Sequence, residues 1–160
     1  MHQAEPTLEE LVSQQTSLVL ERFDYAVAWA IGAHMRDTAV KQGLPIAIEI
    51  SHGNAPVFLA LMEGATPDNI DWVRRKRAVA IRFHQSSLYM RIQSQQNSWD
   101  FSKRFRLPEQ DYVASGGSIP ISVRGAGVIG AATVSGLTDV RDHQLVAEAL
   151  GAIRDEQARP

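Results

Sequence analysis

The chain has 160 residues, 44% hydrophobic and 21% charged, with a formal net charge of −2. This balance is ordinary for one soluble globular domain and argues against a general nucleic-acid binder. With no cysteine, it excludes disulfides, thiolate catalysis, iron–sulfur clusters, cysteine zinc sites and Cys-x-x-Cys-His haem attachment.

The N-terminal stretch MHQAEPTLEELVSQQ lacks the basic and apolar regions of a secretory signal. No apolar run reaches the ~18 residues of a membrane span. A single cytoplasmic domain spanning residues 1–160, without a membrane partner, is the expectation. Thr7 and Glu10 form a capping-box pattern for a short helix from about Leu8. Leu18-Val19-Leu20 is a short strand candidate. Phe23 to Gln42 reads as a long helix, with Asp24 near its start and Gly43 as its C-cap. Between Tyr25 and Ala33 the only polar side-chain group is the Tyr25 hydroxyl. A helix apolar all round is buried on more than one side. Either a subunit interface, hence a homo-oligomer, or the domain's other helices must cover the side away from a sheet.

Leu44 to Ser51 reads as a strand with Ile46, Ile48 and Ile50 on one face. His52-Gly53-Asn54-Ala55-Pro56 has turn chemistry, and Val57 to Glu63 returns as the second arm of a hairpin. Thr66-Pro67-Asp68 opens a helix running to about Gln85. On its wheel Trp72, Val73, Val79, Ala80 and Phe83 form one apolar arc. Lys76 falls inside that arc, and Arg77 and His84 lie between Val73 and Ile70. Asp71, Arg75 and Arg82 fall on the solvated side. Cations facing a core are costly unless paired or presented to an anion. Lys76, Arg77 and His84 are therefore candidate ligand-binding residues for a small anion. The competing reading is structural pairing with Glu49, Glu63 or Asp142, or exposure at a helix edge.

Ser86 to Gln96 fits a second helix, and Leu88 to Ile92 fits an amphipathic strand equally well. Asn97 to Tyr112 reads as irregular, its Trp99, Phe101 and Phe105 interspersed with Lys103, Arg104 and Arg106; such a loop could cover a pocket. Ile119, Ile121 and Val123 alternate with Pro120, Ser122 and Arg124, the period of a half-buried strand. Gly127 to Ser135 is almost wholly apolar or small, as in a central strand covered on both faces. Asp139 to Gln157 closes the chain as a helix with Leu145, Val146, Ala149, Leu150 and Ile153 inward. Gly125-Ala126-Gly127-Val128-Ile129-Gly130 matches G-x-G-x-x-G literally, but no helix follows it directly, so it reads as a hairpin. No His-x-x-x-His or Glu-x-x-His spacing marks a metal site, and Ser135, Asp139 and His143 lack a nucleophile elbow.

The run GGSIPISVRGAGVIGAATVSGLTDVRDHQLVAEAL resembles the C-terminal signature of the haem-degrading-domain family, which includes the glycolate-operon protein G and actinomycete haem-binding sensor proteins. TPDNIDWVRRKRAVAIRFHQSS is similar to one branch of it. The resemblance covers nearly the whole chain. It implies an α/β (α+β) fold, a profilin-like three-layer α/β/α sandwich with a mostly antiparallel central sheet. It also implies oligomers in several members and haem as a candidate ligand. Because the doublet Gly116-Gly117 belongs to the signature and lets backbone approach a ligand closely, it joins the candidate site. Three functions follow as expectations. The first is an oligomeric binding module for a small anionic or planar ligand, held by Lys76, Arg77, His84, Gly116 and Gly117. The second is an enzyme degrading haem or acting on a small carboxylic acid, with His84 as its titratable group. The third is an interaction scaffold presenting Trp99 to Arg106.

Overall fold

The computed structural model describes residues 4–160. In chain order they form α1 (Leu8–Ser17), α2 (Tyr25–Gln42), β1 (Ala47–His52), β2 (Ala55–Leu61), α3 (Pro67–Phe83) and α4 (Ser87–Gln96). There follow α5 (Phe101–Phe105), β3 (Ser118–Val123), β4 (Gly127–Ser135) and α6 (Asp139–Gln157). The strands make one antiparallel sheet in the order β2-β1-β4-β3. Helices α2 and α6 pack on one face and α3 on the other, which is the expected α/β/α sandwich.

Local chemistry sets the boundaries. The Asp24 carboxylate accepts the Val27 amide at 2.8 Å to open α2, and Gly43, at φ 63°, closes it. The Thr7–Glu10 capping box starts α1. Strand alternation then sorts the sheet's side chains. Ile48, Ile50, Ile119, Ile121, Ala132 and Val134 meet Val27, Ile31, Met35, Leu145, Val146 and Leu150 in the main core. The intervening Glu49, Ser51, Ser118, Thr133 and Ser135 are also buried, on the side of α3.

Two local expectations change. Leu18 to Leu20 makes no strand, because α1 continues through Ser17. Leu20 alone bridges in parallel to Val123. The segment that fitted helix or strand is helix α4, whose Leu88 and Ile92 pack with Leu11 and Val140. Residues four apart share a face in either element; the helix is opened by the Ser86 hydroxyl, which accepts the Tyr89 amide at 3.1 Å. The G-x-G-x-x-G match lies on the β3–β4 turn and in β4, as the hairpin reading requires.

Candidate functional site

Helix α3 starts behind Thr66, whose amide donates to the Asn69 side chain at 3.0 Å. Its inner face buries Val73, Lys76, Val79 and Ala80. A lysine at the third-turn position of such a face must find partners. Lys76 Nζ donates to the Val134 carbonyl at 3.2 Å and to Asp142 Oδ2 at 3.1 Å. Asp142, in the first turn of α6, also accepts the backbone amides of Gly136 at 3.3 Å and Leu137 at 3.0 Å. The side chains of Lys76 and Asp142 are 3% and 1% exposed. Burial pushes the Lys76 ammonium down and the Asp142 carboxyl up, each partly opposed by the other's charge.

The glycine doublet lies beside this pair. Gly117 has φ 135°, and a Cβ there would come within 2.4 Å of the Val134 carbonyl and 2.9 Å of Lys76 Nζ. A side chain at 117 would therefore strike the strand and cover the amine. The Gly116 amide donates to Asp139 Oδ2 at 3.3 Å. Alongside runs a polar cleft of about 240 Å³, lined by Asn69, Trp72, Lys76, Ser115, Ser135 and Asp139 among others. Arg75 lies over the Trp72 ring at 4.4 Å.

The structure thus sets Gly117 against Lys76, but of the five candidates only Lys76 lines the cleft; Gly116, Gly117, Arg77 and His84 are absent from the lining. Arg77 points to β1 and pairs with Glu49, the two side chains 11% and 4% exposed. Its Nε has no partner. Asp142 and Glu49 are two of the three acids named above as structural partners for these cations. His84 is exposed in the left-handed C-cap position of α3, φ 53°, and its carbonyl accepts the Gln15 side-chain amide at 2.9 Å. The helix ends before the wheel position assigned to it. The segment after α4, expected to be irregular, holds the short helix α5 and folds on itself: Phe105 meets Trp99, Phe101 and Phe83, and Phe101 also meets Phe83; none of them lines the cleft.

Sequence reasoning missed Asn69, Ser115 and Ser135 as cleft residues and named Asp142 only as a structural partner for the cations. The available signal was in β4, where Thr133 and Ser135 share the face of Ala131 within an otherwise apolar strand. Polar residues at alternate buried positions mark a face with partners to satisfy.

A second cavity, of about 430 Å³, is lined by Glu5, Thr7, Glu10, Leu11, Gln14 and His143 among others. His143 is buried. Its Nε2 lies 2.7 Å from Gln14 Oε1, and its Nδ1 has no partner. Burial lowers its pKa to about 4. Among the described residues no group of three or more His, Asp or Glu side chains could hold a metal ion.

Haem does not match the Lys76 cleft. Its lining contains no histidine, methionine or tyrosine to ligate the iron. Its volume also falls below the roughly 300–1,000 Å³ of drug-sized ligand sites.

Comparison with known proteins gives concordant results. The family described as haem degrading protein HbpS-like matches residues 23–151. A UPF0303 protein of Burkholderia mallei is 44% identical over 145 residues, 91% of this chain and 88% of that protein. The crystal structure of Ybr137w protein superposes with a TM-score of 0.89 at 28% identity, covering 98% of this chain and 92% of the other. The crystal structure of a PduOC–haem complex shares the fold, with a TM-score of 0.69 at 14% identity over 82% of this chain and 94% of that one.

Proposed function

This chain belongs to the HbpS-like haem-degrading protein family, and on that premise we propose that it is a ligand-binding module whose pocket is the polar cleft between α3 and α6. The ligand is a small carboxylate. One observation carries this reading: Lys76 lines the cleft and gives two hydrogen bonds to the protein, whereas an ammonium has three donors. The third donor is available to a ligand acceptor. Trp72 offers an apolar wall, and Asn69, Ser115 and Ser135 supply further polar groups. The cleft volume suits a molecule of a few heavy atoms. The test is a thermal-shift screen of small mono- and dicarboxylates. A ligand present at 100 times its Kd adds about 2.7 kcal/mol of stability, and Lys76→Met abolishes that gain. A screen in which no small acid raises Tm overturns the proposal.

Haem is the second reading, supported by the family's description and by the haem complex of a protein that shares the fold. Since the cleft lacks an iron ligand, haem would sit elsewhere. A haemin titration with a saturable Soret shift that survives Lys76→Met supports this reading, and no shift at micromolar haemin removes it. Self-association is a further part of the proposal. Tyr25 and Trp29 on α2 are 61% and 59% exposed, and Ala26 and Ala30 beside them are exposed too. An exposed apolar face of this kind is costly to leave in water. Light scattering checks it: Trp29→Glu lowers the mass of an oligomer held through this face.

A further inference from the structure

We propose that Lys76 is a carbonyl-capturing amine, whose Nζ condenses reversibly with the carbonyl carbon of a small 2-oxo acid held in the cleft between α3 and α6. The proposal rests on the small-carboxylate reading above and narrows it to acids that carry an adjacent aldehyde or ketone.

The geometry supplies what imine formation needs. First, the chain has three lysines, Lys41, Lys76 and Lys103. Lys41 and Lys103 are exposed, and Lys76 alone is buried. Second, the amine has an approach. Lys76 is part of the cleft wall, and Gly117 puts no side chain over the amine, where a Cβ would stand 2.9 Å from Nζ. Third, a proton carrier is in contact. Asp142 Oδ2 stands 3.1 Å from Nζ and is held there by the Gly136 and Leu137 amides. The other charged groups near the amine are Asp139 and Arg75. Asp139 is engaged by Arg91 and Arg75 by Asp71, which leaves Asp142 to exchange protons with Nζ. Burial favours the free amine in support of this geometry, the usual means of making a lysine nucleophilic.

The step balances without an oxidant or reductant. Nζ passes one proton to Asp142 and attacks the carbonyl carbon with its lone pair. The carbonyl oxygen takes the proton that the attacking nitrogen releases and becomes the hydroxyl of a neutral carbinolamine. The carbon–oxygen bond then breaks, the oxygen leaves as water with the proton held by Asp142, and the Asp142 carboxylate takes the last nitrogen proton as the carbon–nitrogen double bond closes. Amine and carbonyl become imine and water.

The experiment uses the full chain at neutral pH with pyruvate or glyoxylate and sodium cyanoborohydride, followed by peptide mass mapping. The expected result is a reduced adduct on Lys76 in several-fold excess over Lys41 and Lys103. Lys41, Lys103 and the N-terminal amine are internal controls in the same sample, so the reading does not depend on a variant that folds. Lys76→Arg, checked by circular dichroism, loses only the Lys76 adduct. Labelling spread evenly over the three lysines, or absent from Lys76 with both acids, overturns the proposal. Thermal stabilisation by acetate or succinate, which cannot form an imine, is read separately. It sustains the carboxylate pocket even where carbonyl capture fails.

Discussion

Both faces of the sheet carry buried side chains, and they differ in what they ask of the sequence. Toward α2 and α6 the strands present Ile48, Ile50, Ile119, Ile121 and Val134. Burial there is non-directional and scales with apolar area, so any well-sized hydrophobe serves. Toward α3 they present Glu49, Ser51, Ser118, Thr133 and Ser135. There each group needs a named partner. Ser118 and Thr133 hydroxyls meet at 2.8 Å, the Ser51 hydroxyl accepts the Ala131 amide at 3.2 Å, and Arg77 reaches Glu49. The first face holds the chain together. The second holds particular atoms in particular places, and the cleft opens on that side.

Breaking the polar face one group at a time tests this contrast most severely. Asp142→Ala strands a buried ammonium and two amides, and is expected to cost about 3–5 kcal/mol in urea unfolding. Replacing both partners, as in Lys76→Met with Asp142→Leu, is expected to recover much of that loss in a double-mutant cycle. On the apolar face Ile48→Ala costs about 2–5 kcal/mol through lost burial and a residual cavity, measured the same way.

His143, packed at the α1–α6 contact, adds a pH dependence. Its folded pKa of about 4 lies below the ordinary 6.5, so between those values the unfolded chain binds the extra proton. Stability contributed by the neutral ring is complete above pH 6.5 and falls as pH drops toward 4, by about 3 kcal/mol in total. His143→Gln flattens that slope in unfolding measured from pH 7 to 4. The smallest effect belongs to the exposed pair Arg124–Glu21, 2.9 Å apart. Arg124→Ala changes stability by less than about 1 kcal/mol and in a salt-dependent way.

The sequence showed the apolar face more plainly than the polar one, for a physical reason. Ile46, Ile48 and Ile50, the inner stripe of α6 and the caps at Asp24 and Gly43 are local signals with a fixed period. The helix wheel also placed Lys76 correctly inside its arc. Whether that lysine would meet Asp142, Glu49 or a ligand depends on strand register and on where α6 begins, both products of the whole fold. Arg77 and Lys76 are adjacent in sequence, yet their partners come from β1 and α6. His84 fell outside the wheel's reach because α3 stops at Phe83 and the next residue turns left-handed.

The bridge at Leu20 has a consequence for how copies of this sheet can meet. The outer edge of β3 is occupied along its length. Ser118 exchanges hydrogen bonds with the Ser87 hydroxyl, Pro120 has no amide to offer, and Leu20 takes the Ser122 carbonyl and the Arg124 amide. Strand β2, at the opposite end, has no neighbour beyond it. A sheet with one bare margin can join another only margin to margin, and the joined pair then has none left. Strand-to-strand growth is therefore self-terminating at two copies, a safeguard against fibre formation that Ser87, Pro120 and Leu20 provide together.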